Sequence, residues 1–98
     1  HEMNRMAADE YTKADGALNR VYKKLMTHLE KPRAAKLKET QLAWIKFRDL
    51  QADFAAAEME GGSAEPLLRF GALTSMTEER TKQLQNALDI AAPEEASS

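Results

Sequence analysis

The sequence predicts an all-α fold, an antiparallel three-helix bundle, on three observations. Three long segments are rich in Ala, Leu, Lys, Glu, Met and Gln, which are good helix formers, and only two strong breakers divide them. Apolar residues recur in each segment at the three-and-four spacing of a helix face. No segment shows the alternation of a half-buried strand, and no internal repeat is visible.

The first breaker is Lys31-Pro32. Proline fits the opening turn of a helix, where its missing N–H would have had no partner, so Pro32 opens the second helix and the first ends near His28 to Glu30. The second breaker is Gly61-Gly62, with Ser63 as a candidate N-cap and Pro66 tolerable in the first turn of the third helix. Helices are therefore expected near residues 3–29, 33–60 and 65–89. Residues 1–90 read as one domain. Residues 91–98 read as a disordered tail, because Ala-Pro-Glu-Glu-Ala-Ser-Ser has little apolar area to bury.

Placing residues at about 100° per position gives each helix a core face. The first gathers Ala7, Tyr11, Ala14, Leu18, Val21, Tyr22, Leu25 and Leu29. The second gathers Leu37, Trp44, Ala52, Ala55 and Met59, with Ile45 and Ala56 on one margin and Phe47 and Phe54 on the other. The third gathers Ala72, Leu73, Met76, Leu84, Ala87 and Leu88. Arcs this wide suit a helix packed against two neighbours, and short connections make sequential helices antiparallel. Leu18, Tyr22, Trp44, Met76 and Leu84 are the residues expected to be buried.

Polar residues interrupt these faces. Gln41 and Arg48 fall near the middle of the second arc on either side of Trp44; Arg80 falls between Met76 and Leu84, and Asp15 beside Leu18 and Tyr22. A buried charge without a partner costs several kcal/mol, so the two guanidinium groups need carboxylates or carbonyls. Asp15 is the carboxylate well inside an arc and is expected to pair with Arg48 or Arg80, leaving the other arginine to backbone carbonyls, Gln41, Asp49 or a partly wet cleft, in a network that fixes helix register. The alternative is a polar groove that binds something.

Composition excludes several chemistries. A net charge of -2 over 98 residues gives no global attraction to nucleic acid or anionic lipid, so Arg20, Lys23, Lys24 and Lys36, Lys38 read as solvated faces. No apolar run approaches the length of a membrane span. No secretory signal lies within the chain, so an export signal would precede His1. The absence of cysteine rules out disulfides and thiolate metal sites, and His1 and His28 do not converge with other ligands, so neither metal nor cofactor is expected. Ser75 and Thr77 have no histidine nearby in sequence, and Asp9-Glu10 and Glu78-Glu79 read as helix surface, so no enzyme activity is expected.

Residues Met3 to Tyr22, with Ala14-Asp15-Gly16-Ala17-Leu18-Asn19-Arg20-Val21-Tyr22, then Gln41-Leu42-Ala43-Trp44-Ile45-Lys46-Phe47-Arg48-Asp49, then Gly61-Gly62-Ser63 and finally Met76-Thr77-Glu78-Glu79-Arg80, together resemble the LprI-type lysozyme-inhibitor-like domain. The likeness covers about residues 3 to 84, and Asp15, Gln41, Arg48 and Arg80 all fall on motif positions. Many members carry cysteines near the positions of Met6, Ala52 and Ala72, where this chain has none. The resemblance implies a bacterial extracytoplasmic protein, periplasmic or secreted, that binds a protein partner, with lysozyme inhibition the activity of the namesake. Under that reading Glu58, Glu60 and Glu65, around the glycine pair, are the candidate partner-binding residues, because acidic groups on an exposed loop speed encounter with a cationic lysozyme. The alternative is a structural or adaptor module of the cell envelope, with Phe47, Phe54 and Phe70 as an apolar patch.

Overall fold

The computed structural model describes residues 2–96, and no strand occurs among them. Helix α1 spans Glu2–Thr27, α2 spans Lys31–Ala56 and runs on into a single 3-10 turn at Ala57–Met59, and α3 spans Glu65–Ala91. A four-residue helix, α4, covers Pro93–Ala96. Both prolines expected to open helices sit in first turns, Pro32 in α2 and Pro66 in α3.

Side-chain neighbours give the direction of each helix. Between α2 and α3, Gln41 bonds Arg80 while Asp53 pairs with Arg69, and between α1 and α2, Arg48 lies over Tyr11 while Leu37 shares a groove with Leu29, so α2 runs antiparallel to both other helices. Tyr11 meets Phe70 near one end of the bundle, while Leu25 clusters with Leu84 and Leu88 towards the other, so α1 and α3 run parallel. The path is up, down, up.

The three helices are not equidistant. Helix α3 packs along both α1 and α2, whereas the backbones of α1 and α2 seldom come close. Side-chain size explains the asymmetry. Ala7, Ala14 and Ala17 of α1 share grooves with Gly71, Thr74 and Thr81 of α3, and small residues let two helix backbones approach. Between α1 and α2 stand Trp44, Arg48, Leu37, Tyr11 and Tyr22, which fill a wider gap. The molecule measures 46 × 27 × 14 Å, and its radius of gyration of 15.5 Å exceeds the roughly 13 Å of a rounder domain of this length.

The core is a column of Leu18, Leu25, Leu84, Leu88 and Ala92, with Val21, Tyr22, Leu29, Leu37, Trp44 and Ala87 packed around it. Leu18 and Leu84 are buried as the helical pattern predicts, but Tyr22, Trp44 and Met76 are only half-buried. Thr77 takes the buried place expected of Met76, with none of its surface exposed. The face of α3 is rotated towards α1, because Thr74, Thr77 and Thr81 form that flank and a count of apolar residues passes over them. Met59 is exposed.

Two further expectations change. Ser63 does not cap α3; its N-cap is Ala64, with no side-chain cap, and the Glu65 carboxylate instead accepts a hydrogen bond from the Gly61 N–H at 3.0 Å. Gly61 has φ of 79°, the left-handed conformation that glycine adopts without a Cβ clash. The tail expected from residue 91 is structured at its start: Ala91 ends α3, and Ala92 is 1% exposed within the leucine column and donates its N–H to the Leu88 carbonyl. A methyl group suffices to cap a column of leucines, so low apolar content does not keep Ala92 out of the core. Ser97 and Ser98, the end of that expected tail, lie outside the described residues.

The buried hydroxyls of Thr74 and Thr77 have no hydrogen-bond partner among the described residues. Replacing an unpaired buried hydroxyl by a methyl removes its desolvation cost without changing shape much, so Thr77→Val should raise unfolding free energy by about 1 kcal/mol. A urea titration of the variant against the parent, with an unchanged slope, measures it. A loss of stability would mean that the hydroxyl is bonded in solution.

Candidate functional site

Trp44 is the centre of the polar cluster. It projects from α2 into the wider gap, and two guanidinium groups lie over its indole, that of Arg48 at 5.1 Å and that of Arg80 at 5.9 Å from the ring centroid. Arg48 also lies 5.5 Å from the Tyr11 ring. Helical geometry explains the first neighbour, because Trp44 and Arg48 are one turn apart on one face. Arg80 arrives from α3.

Arg48 is 7% exposed, yet its ionic partners are at the margin. Its Nε donates to Asp49 Oδ1 at 3.0 Å, and its Nη2 is 3.0 Å from the same oxygen. Asp15 stands at 3.9 Å from Nη1, an ion-pair distance too long for a hydrogen bond, with its side chain 42% exposed, and accepts a hydrogen bond from Asn19 Nδ2 at 3.3 Å. Arg80 donates from Nε to Gln41 Oε1 at 3.0 Å and from Nη1 to Gln83 Oε1 at 2.9 Å. Arg48 thus takes its carboxylate from the adjacent residue, while Arg80 is satisfied by two amides. Asp15, Gln41, Arg48 and Arg80 come together around one tryptophan, with Asp49, Gln83 and Tyr11 completing the set. Asp15, Gln41, Arg48, Tyr22 and Ile45 line a small cavity of about 220 Å³ between α1 and α2.

Burial has two electrostatic consequences here. It lowers the pKa of Arg80 below the ordinary guanidinium value, although arginine stays charged. It raises the Tyr11 phenol; the Arg48 charge opposes that shift, and Asp15 and Asp49 add to it. No group of three or more His, Cys, Asp or Glu that could hold a metal occurs among the described residues. The cluster sets two cations against aromatic rings contributed by α1 and α2, where the side chains of all three helices meet.

The acidic connection is separate. Glu58 and Glu60 are exposed on either side of Met59, and neither makes an ion pair among the described residues. Glu65 is engaged: it closes the turn on Gly61 and lies 3.4 Å from Arg69, which also pairs with Asp53 of α2. Phe70 is half-buried against Tyr11, with ring centroids 6.3 Å apart, so it does not join Phe47 and Phe54 at the surface. The Asp53–Arg69 pair, which fastens α2 to α3 beside the connection, has no signal in an apolar pattern because both residues lie outside it.

Comparison with known proteins bears on this arrangement. The family model described as "Lysozyme inhibitor LprI" matches residues 1–84. The chain is 31% identical to an uncharacterized protein of Rhizobium meliloti (strain 1021), in an alignment covering 92% of this chain and 74% of the relative. No solved structure matches the chain.

Two expectations follow from the cluster. Asp15 is half-exposed at the limit of ion-pair distance, so Asp15→Ala should cost less than about 1 kcal/mol, whereas Arg48→Ala empties the space between two aromatic rings and should cost about 2–4 kcal/mol. Thermal melts of the two variants separate these roles. A phenol whose pKa is raised by folding adds stability that is complete below the unfolded value of about 10 and is lost as pH rises through the folded value. Tyr11→Phe should therefore flatten the alkaline fall in stability, read from urea titrations between pH 8 and 11, roughly the span that brackets the phenol.

Proposed function

The chain belongs to the LprI lysozyme-inhibitor family, and from that premise we propose that it is a non-catalytic, extracytoplasmic binding domain that inhibits a lysozyme through its acidic interhelical connection. The observation that carries the reading is a pair of exposed carboxylates, Glu58 and Glu60, without an ion-pair partner among the described residues, on a connection held in shape. The 3-10 turn of Ala57–Met59, the Gly62 N–H bonded to the Met59 carbonyl at 2.8 Å and the Gly61–Glu65 bond together limit its freedom. A pre-shaped loop loses little conformational entropy on binding, and glycines let backbone approach a cleft. Lysozymes are typically cationic, so two free carboxylates there favour encounter.

Glu65 has a different part in this reading. Its carboxylate shapes the connection, so its replacement would act on binding through the loop. No helix among the described residues is long and apolar enough to cross a membrane. A second reading, an adaptor module of the cell envelope, is favoured by Phe47 and Phe54, 57% and 74% exposed on α2.

The test is inhibition of hen-type and bacteriophage-type lysozymes by the titrated domain. Replacing Glu58 and Glu60 together by glutamine should slow association roughly three- to tenfold at low salt and much less near 0.5 M salt, where exposed charges are screened. Glu65→Gln should weaken inhibition at both salt concentrations. Failure of the unaltered domain to inhibit any lysozyme, or salt-independent equality of the Glu58/Glu60 variant and the parent, would leave the adaptor reading in its place.

A further inference from the structure

Helix α2 carries a second apolar face that the fold does not use. Ala43, Phe47, Leu50 and Phe54 are spaced four, three and four apart, which places them in one stripe, and all four are exposed. Phe47 is 57%, Leu50 59% and Phe54 74% exposed. The residues α2 buries in the bundle, Gln41, Arg48, Ala52 and Ala56, lie on the opposite side of the helix. Ala57 continues the stripe into the 3-10 turn, and Lys36 and Thr40 end it at the other side.

We propose that this stripe is the docking surface for a second copy of the chain, with the two α2 helices packed antiparallel. The stripe is complementary to itself. In the antiparallel register that sets Phe47 against Leu50 of the other copy, Phe54 falls opposite Ala43, so one ring meets a leucine and the other a methyl group, and neither ring faces another ring. The flanking charges agree. Lys46 borders the stripe and makes no ion pair among the described residues, and the same register brings it beside Asp53 of the other copy. Asp53 keeps its side chain 62% exposed although it pairs with Arg69. A parallel arrangement would instead set Asp53 near Glu58 of the other copy, two like charges side by side.

The area is sufficient for a weak, specific dimer. The stripe with its borders can bury about 500 Å² on each copy, near the lower limit of roughly 1,000 Å² in total for a specific interface. The dimer should therefore dissociate in the micromolar range, at about 10–100 µM.

Sedimentation equilibrium of the full chain over that concentration range tests it. The expected result is a reversible monomer–dimer equilibrium that the exposed pair of substitutions Phe47→Ser and Phe54→Ser weakens at least tenfold, with the helical circular dichroism unchanged. Orientation is read by disulfide trapping, which the absence of native cysteine makes clean. Lys46→Cys mixed with Asp53→Cys should cross-link to each other faster than either does to itself. A chain that stays monomeric throughout the range, a dimer indifferent to the serine substitutions, or like-with-like cross-linking as fast as mixed would each overturn the proposal. Capture of a different protein by the stripe while the chain alone stays monomeric would also overturn it.

Discussion

Two guanidinium groups held over one indole govern the geometry of this bundle. Trp44 with Arg48 is too bulky for α2 to lie against α1 as closely as α3 does, and Arg80 ties the same ring to α3 through Gln41. The alanines and threonines between α1 and α3 have the opposite effect and draw those backbones together. One seam is therefore narrow and closed by small groups. The other is wide and filled by planar cations and aromatic rings, whose faces attract each other even where carboxylates stay near water. The leucine column from Leu18 to Leu88 supplies apolar burial, but the spacing of the helices follows from the wide seam.

This arrangement also settles how a buried arginine is tolerated. Arg48 is almost wholly covered, yet Asp49, its nearest carboxylate, has a side chain 57% exposed. Full burial of both ions would add two desolvation costs to one attraction. Here only the cation is enclosed, by ring faces that accept a weakly hydrated guanidinium, while the anion stays solvated. Arg80 is satisfied without any carboxylate. The cost of enclosing charge is divided between stacking and amide hydrogen bonds.

The helices and their turns were legible because Pro32, Pro66 and Gly61 act through local backbone chemistry, which needs no knowledge of neighbours. The gathering of Gln41, Arg48 and Arg80 near Trp44 was legible in the same way, from angular position alone. The parallel α1–α3 seam was not. Its contact surface is built from Ala, Gly and Thr, which carry little weight in an apolar pattern, so Thr77 escaped notice as a core residue and Met76 was overvalued. Gln41 and Asp49 were legible as partners for an arginine, but not which arginine takes which: angular position puts Asp15 near Arg48 and cannot weigh it against Asp49 on the next residue. Glu65 looked like its acidic neighbours, yet its contact with Gly61 depends on a left-handed turn that sequence only permits.

Helix α2 is the element in which these observations meet, because it is inverted relative to an ordinary surface helix. Its inward face carries Gln41 and Arg48 among alanines, and its outward face carries two phenylalanines and a leucine. The alanines contribute little burial each, so α2 is attached mainly through Leu37 and Trp44, packed against the leucine column, and through the ring-and-cation cluster, while the largely exposed Asp53–Arg69 pair adds little. Covering the outer face would add apolar burial to that attachment. The apolar stripe on that side and the ring-and-cation cluster on the other describe one helix adapted to two neighbours, the bundle within and a surface outside it. The acidic connection extends directly from the C-terminal end of this helix, so anything that fixes α2 also fixes the position from which Glu58 and Glu60 are presented.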